Sequence, residues 1–187
     1  MKFIALDLEL NGASQEIIQI GIVAFDTDTG CTSSFNVYVD QPNVDFEQML
    51  SCGVTLKQYL CSSFIRSYEN GKLLKSEAAY HLNAYLKNTE GCSCVVQWGS
   101  ADYKILTAQF QTVFTTPDII NVQTLYKRLY APAAKLPKTG GLRSAAERLN
   151  LIHMPHDALS DANVTGHIYL QMFEDLQQFT KIKKIIQ

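Results

Sequence analysis

The opening stretch of the chain most narrows what it can fold into. Three segments there read as strands: Phe3 to Leu10, Glu16 to Asp26 and Ser34 to Asp40. The first is a short apolar run with carboxylates late in it, and the third, SFNVYVD, alternates. Gly12 and Ser14 lie in the first connector, Asp28 and Gly30 in the second. Connectors this short suit antiparallel neighbours and cannot carry a parallel crossover, so the three segments predict a meander.

After Asp40 the period changes. Pro42 to Cys61 is mixed and predicts a loop with a short helix. Lys72 to Leu86 carries apolar residues near helical spacing, Cys94 to Trp98 is a short buried strand, and Ala101 to Phe114 is again helical. Asp118 to Val122 predicts a strand and Val122 to Leu129 a helix, before a polar, basic loop from Pro132 to Gly141. Helices over Leu142 to Leu149 and Leu159 to Phe173 follow, then an amphipathic tail from Leu176 to Ile186. Strands first, then strands alternating with helices, predict a mixed α/β sheet with helices on its faces. At 187 residues, with no linker, repeat or break in composition, the chain reads as a single domain over 1–187.

The 47% hydrophobic content supplies a core, and 18% charged residues is too few for a disordered chain. A net charge of −2 argues against a protein that coats nucleic acid by bulk attraction. An enzyme that bridges to phosphate through metal ions is not excluded by it. The cysteines at 31, 52, 61, 92 and 94 are odd in number and lack C-x₂-C spacing, which predicts free thiols in a reducing compartment. Cys92-Ser93-Cys94 and His153-x₂-His156 do not match common zinc spacings. The segment from Met1 reaches Asp7 too soon for a signal sequence, and no apolar run approaches membrane-spanning length. The expectation is a soluble, cytoplasmic protein that does not enter membranes.

Three short patterns carry chemistry. Residues two apart on a strand share a face, so Asp7 and Glu9 point together while Leu6, Leu8 and Leu10 point the other way. Paired carboxylates repel unless one takes a proton or a cation lies between them, and hard divalent cations prefer such oxygens. A solvated strand face would also display D-x-E. Asp102 follows Trp98-Gly99 where a strand gives way to a helix. Acids cap helices there, yet the carboxyl end of a strand is also where α/β sheets place their sites. In His156-Asp157-Ala158-Leu159-Ser160-Asp161, Asp157 or Ser160 can cap a helix, which leaves Asp161 free to turn back to the sheet. His156 then hangs from the preceding loop; a plain surface histidine would look the same.

Taken in order, Asp7-x-Glu9, Asp102 and His156-x₄-Asp161 resemble the DEDDh family of 3′–5′ exonucleases, over about residues 3 to 170. Trp98-Gly99-Ser100-Ala101-Asp102 and Gly141-Leu142-Arg143-Ser144-Ala145-Ala146 look most like the branch that trims RNA 3′ ends. The resemblance implies a ribonuclease-H-like fold, a five-stranded mixed sheet flanked by helices. It implies that Asp7, Glu9, Asp102 and Asp161 are ligands of two Mg²⁺ or Mn²⁺ ions, and that His156 is the general base. The tyrosine variant of the family would place Tyr at position 157, which is Asp157 here. Leu10 departs from the family pattern, which often has Thr or another small or polar residue after the glutamate. That departure bears on how the terminal sugar is held, and hence on RNA against DNA.

The implied reaction is hydrolysis of the terminal phosphodiester of single-stranded RNA or DNA, releasing nucleoside 5′-monophosphates. Two metal ions about 3.5–4 Å apart can stabilise both the attacking and the leaving oxygen. Leu8, Leu10 and Asn11 lie near the carboxylates in sequence and are candidate substrate contacts. Lys135, Lys138 and Arg143 form a local basic cluster that suits phosphates or plain solvent. Trp98 and Phe25 read as core rather than as stacking platforms. Other readings are a DNA proofreading subunit of a replication complex, a silent nucleic-acid-binding module, and a phosphatase with Asp7 as nucleophile. Sequence leaves the oligomeric state open, a homodimer or larger complex included.

Overall fold

A computed structural model of the chain describes residues 1–44, 46, 64–111, 114, 118–134 and 141–186. The meander is present as β1 (Lys2–Asn11), β2 (Glu16–Asp26) and β3 (Gly30–Val39), with a 3₁₀ turn at Gly12–Ser14. The pairs β1–β2 and β2–β3 are antiparallel, as short connectors require. Then come α1 (Phe64–Gly71), β4 (Lys72–Leu73), α2 (Lys75–Asn88), β5 (Cys94–Gln97) and α3 (Asp102–Phe110). β6 (Asp118–Asn121), α4 (Val122–Ala134), α5 (Leu142–Arg148) and α6 (Ala158–Ile186) complete the order.

The sheet has six strands in the order β4-β3-β2-β1-β5-β6, one more than the five expected. The addition is β4. Lys72 and Leu73 pair in parallel with Tyr38 and Val39, and the Asp40 N–H donates to the Leu73 carbonyl at 2.8 Å. Two residues are too short to show a period, so the sequence reads them as the start of the following helix. That helix begins later because the Glu77 carboxylate accepts the Leu74 N–H at 3.1 Å and so stops the chain there. α1 has no counterpart in the sequence reading, and α6 runs unbroken through what reads as a helix plus a separate tail. The expected loop and helix over 42–61 and the lysines of the basic loop fall mostly outside the described residues.

Side-chain alternation makes a main core on each face, beside a smaller cluster of Ile18, Phe64 and Tyr68. On one face Phe3 and Ala5 of β1, Val23 and Phe25 of β2 and Val96 of β5 meet Ala162, Ile168 and Met172 of α6, with Tyr126, Ala145 and Ala146. On the other, Ile4, Leu6 and Leu8 with Ile20, Ile22 and Val95 meet Ala78, Leu82, Leu106 and Phe110. Each large aliphatic side chain so buried contributes roughly 1.5–3 kcal/mol. Phe25 is 1% exposed and Trp98 packs against the first core, so both are core residues as read from sequence. No described helix is long and apolar enough to cross a membrane.

The start of α6 lies directly on the backbone of β2. A Cβ built on Gly21 would stand 2.2 Å from both the carbonyl carbon and oxygen of Ala158. Further along, a Cβ on Gly166 would stand 2.0 Å from the Phe25 ring. Only residues without side chains allow so close an approach. Gly21→Ala should therefore push α6 off the sheet and destabilise the fold by about 1–3 kcal/mol, the usual range for overpacking. Urea unfolding checks this. Gly71→Ala is the control, since its Cβ would meet only the Tyr38 ring at an ordinary 3.5 Å.

Candidate active site

The β1–β2 register pairs Asp7 with Gly21 and Glu9 with Gln19. Paired residues share a face, so both carboxylates look towards the side where α6 begins. The first turn of α6 brings Asp161 to them. Asp7, Glu9 and Asp161, all partly buried, each offer a carboxylate oxygen, and these oxygens lie within 4.8 Å of one another. Asp102 opens α3 just beyond the carboxyl end of β5. Its charge acts on both Asp7 and Glu9, and the charge of Asp161 acts on it.

A buried amide holds this arrangement. Gln19, 0% exposed, accepts the Ala158 N–H at 3.0 Å through Oε1. Its Nε2 donates to Asn36 Oδ1 at 2.9 Å and to Asp157 Oδ2 at 3.2 Å. Asp157 in turn caps α6, with Oδ1 accepting the Ser160 N–H at 2.9 Å. Of the two capping residues the sequence offers, Asp157 caps the helix. The Ser160 hydroxyl is used in the preceding loop, accepting the Met154 N–H at 2.9 Å.

That loop brings two histidines to Asp161. His156 adopts a left-handed backbone, φ 63°, and its N–H donates to Asp161 Oδ2 at 3.3 Å. His153 Nε2 lies 2.6 Å from Asp161 Oδ1. In the sequence His153 stands out only as half of a zinc pattern, which says nothing of this contact. Its signal, a second histidine just ahead of the His156 motif, is too general to single it out. Gln19 was missed as well, since a lone polar residue in an apolar strand does not reveal its partners.

The remaining candidates fall in different places. Leu8 is 7% exposed and packs in the core on the opposite sheet face. Leu10 is partly buried beside that core, past a register shift between Glu9 and Leu10. Asn11 is 5% exposed, and its Nδ2 donates to the Asn43 carbonyl at 3.4 Å. Arg143 is exposed and paired with Glu147 at 3.1 Å, one helical turn on. In the loop before α6, Ile152 and Met154 are exposed apolar residues, 92% and 57%. They line a cleft of about 360 Å³ with Ser34, Asp157, Ser160 and Asn163.

The electrostatics call for cations. Burial and then the charges of Asp161, Glu9, Asp102 and Asp157 hold the Asp7 carboxyl well above the usual carboxylate range. Glu9 is raised likewise, by burial and then by Asp161, Asp157 and Asp102. Burial pushes Asp102 up to about 6; its own N–H opposes the shift and Asp161 adds to it. A site of oxygen donors that resist ionising beside one another suits hard divalent ions. Asp7, Glu9, Asp102 and Asp161 have the right donor chemistry to hold them.

No protein-family model and no curated protein sequence matches the chain. Solved structures do. The chain has the fold of the ribonuclease-H-like exonucleases. One match is a 3′-exonuclease described as recognising the 3′ end of the histone mRNA stem-loop. It has a TM-score of 0.66 and 17% identity, over 93% of this chain and 82% of that one. A full-length 3′-exonuclease matches with a TM-score of 0.65 and 19% identity, over 93% of this chain but 60% of its own length. Exonuclease X, solved with 5′-overhanging duplex DNA, matches with a TM-score of 0.50 and 16% identity, over 93% and 91%.

The raised carboxyls set a pH dependence for the cation-free protein. A group that binds its proton more tightly folded than unfolded stabilises the fold only while protonated. Its contribution is lost as pH rises from the unfolded value through the folded one. For Asp102 that window runs from 3.8 to about 6, and for Asp7 and Glu9 it extends upward from their ordinary values. In chelator, the melting temperature should therefore fall as pH rises from 4 to beyond about 6. Mn²⁺ should reverse the fall at neutral pH. Asp7→Asn should raise the melting temperature in chelator at neutral pH and weaken the response to Mn²⁺.

Proposed function

We propose that this chain is a metal-dependent 3′–5′ exonuclease. It hydrolyses the terminal phosphodiester of single-stranded nucleic acid and releases nucleoside 5′-monophosphates. The observation that carries this reading is the meeting of Asp7, Glu9 and Asp161 within 4.8 Å, with Asp102 in electrostatic reach. The fold shared with 3′-exonucleases supports it.

Asp7, Glu9, Asp102 and Asp161 would hold two Mg²⁺ or Mn²⁺ ions. The ions would supply stabilisation of negative charge on the attacking and leaving oxygens. His156 takes the proton from the attacking water at its imidazole. Its backbone N–H is tied to Asp161, which keeps the base beside the carboxylates, while its ring has no hydrogen bond among the described residues. A histidine is the side chain suited to accept a proton near neutral pH.

The 3′ end enters beside the end of β1, where partly buried Leu10 borders the terminal nucleotide and buried Asn11, donating to the Asn43 carbonyl, shapes the strand end. Leu8, in the core beneath, supports that strand from behind. Exposed Ile152 and Met154 offer an apolar surface for an unpaired base. RNA is the favoured substrate, by likeness to the exonuclease described with the mRNA stem-loop. DNA cleavage is the second arm of the test, motivated by likeness to Exonuclease X. Cys31 and Cys94 are thiols outside any disulfide, which suits work in the reducing cytoplasm.

A time course on 3′- and 5′-labelled RNA and DNA tests the reading. A 3′ label should leave at once as a mononucleotide, a 5′ label should give a shortening ladder, and chelator should stop both. Internal cuts, or activity that survives chelator, would refute it. His156→Ala should lower turnover by about 10²–10⁴-fold, the usual worth of a general base, and leave Mn²⁺ binding unchanged.

A further inference from the structure

A metal-binding carboxylate works best when its unused lone pairs are held by neighbours, because a fixed orientation spares the ion the cost of ordering it. Asp161 is the ligand with most need of this. It comes from the first turn of a helix, whereas Asp7 and Glu9 are locked into a central strand. Its backbone is secured, the N–H donating to the Asp157 carbonyl at 2.8 Å. Its side chain still needs a partner to stay turned towards β1.

His153 is built for that task. Its Nε2 lies 2.6 Å from Asp161 Oδ1, and the two side chains are 7% and 15% exposed, so water competes little for the contact. A carboxylate accepts and does not donate, so Nε2 carries the proton in this bond. The ring's other nitrogen, Nδ1, is buried without a hydrogen-bond partner among the described residues. Its only polar connection there thus runs to Asp161. A histidine kept merely to fill space would have no need of the Nε2 bond and would gain nothing over a phenylalanine. One bond to Oδ1 leaves that oxygen a second lone pair for an ion.

We infer that His153 is a positioning residue for the proposed metal site, orienting the Asp161 carboxylate towards Asp7 and Glu9 through its Nε2–H. The inference rests on the metal-dependent reading above. It separates the work of two neighbouring histidines: His153 serves metal binding, and His156 serves proton transfer.

Calorimetric titration of the full chain with Mn²⁺ alone, without nucleic acid, tests it. His153→Phe keeps the ring's bulk and loses the donor; it should weaken Mn²⁺ binding by about 10–100-fold, the usual effect of losing such a partner. His153→Gln, which can still reach Asp161 with an N–H, should recover most of the affinity. His156→Ala should bind Mn²⁺ as the parent does. Circular dichroism of each variant in chelator confirms folding, and His153→Ala replaces His153→Phe should the latter not fold. Parent-like Mn²⁺ affinity without the donor would overturn the inference while leaving the metal site standing. Tighter binding would also overturn it, since His153 would then compete with the ion. A parent protein that does not bind Mn²⁺, or an Asp161→Asn variant that binds it unchanged, would sink the metal-site reading and this inference together.

Discussion

The start of α6 rests on the bare backbone of Gly21, and the candidate site exists because of that contact. The strand position beside Gly21 is Asp7, so the helix that comes down there sets its first turn against the carboxylates. Gln19, two residue pairs along, converts proximity into a fixed seat. Its amide accepts from the helix N-terminus and donates to both Asp157 and Asn36, linking β2, β3 and α6. A buried amide with its partners in place specifies one arrangement, because any slip would strand polar atoms out of water. Gly166 repeats the close approach further up, where the Phe25 ring fills the room its missing side chain leaves. The helix is thereby fixed in height and in rotation, and Asp161 has little freedom to face elsewhere.

What this seat holds is unfavourable by itself. Burial and mutual repulsion raise Asp7, Glu9 and Asp102. The apolar cores on the two sheet faces must outweigh that repulsion, and they do so with the strands that carry the acids. Phe3 and Ala5 precede Asp7 and Glu9 on one face, while Ile4, Leu6 and Leu8 anchor the other. One strand thus serves both cores along most of its length and presents the two carboxylates towards its end. Sites that strain the fold are commonly supported in this way by rigid neighbours.

Much of this was readable from residue order. The meander, the α/β class and the D-x-E pair follow from periods and connector lengths. Asp157 is one of two helix caps that the residues offer, and Phe25 and Trp98 read as core. The misses have physical causes. β4 is too short for periodicity to register, and its two residues become a strand only because Tyr38 and Val39 lie alongside. α6 reads as a helix and a tail, yet it continues without a break. His153 acquires its role through one hydrogen bond across a folded loop, which no spacing rule describes.

The sequence alone determined which residues could share a face. Strand alternation is a local property of the backbone, so Asp7 and Glu9 had to point together, with Leu6, Leu8 and Leu10 pointing away. It also supplied the cap of the last helix and the glycines that permit close approach. Only the tertiary structure decided that Asp161 meets them and that Asp102 comes within electrostatic reach, because those encounters depend on where helices land on a sheet. It also decided that His153 touches Asp161. Landing is a matter of packing between elements far apart in the chain, and packing is not written in any single segment.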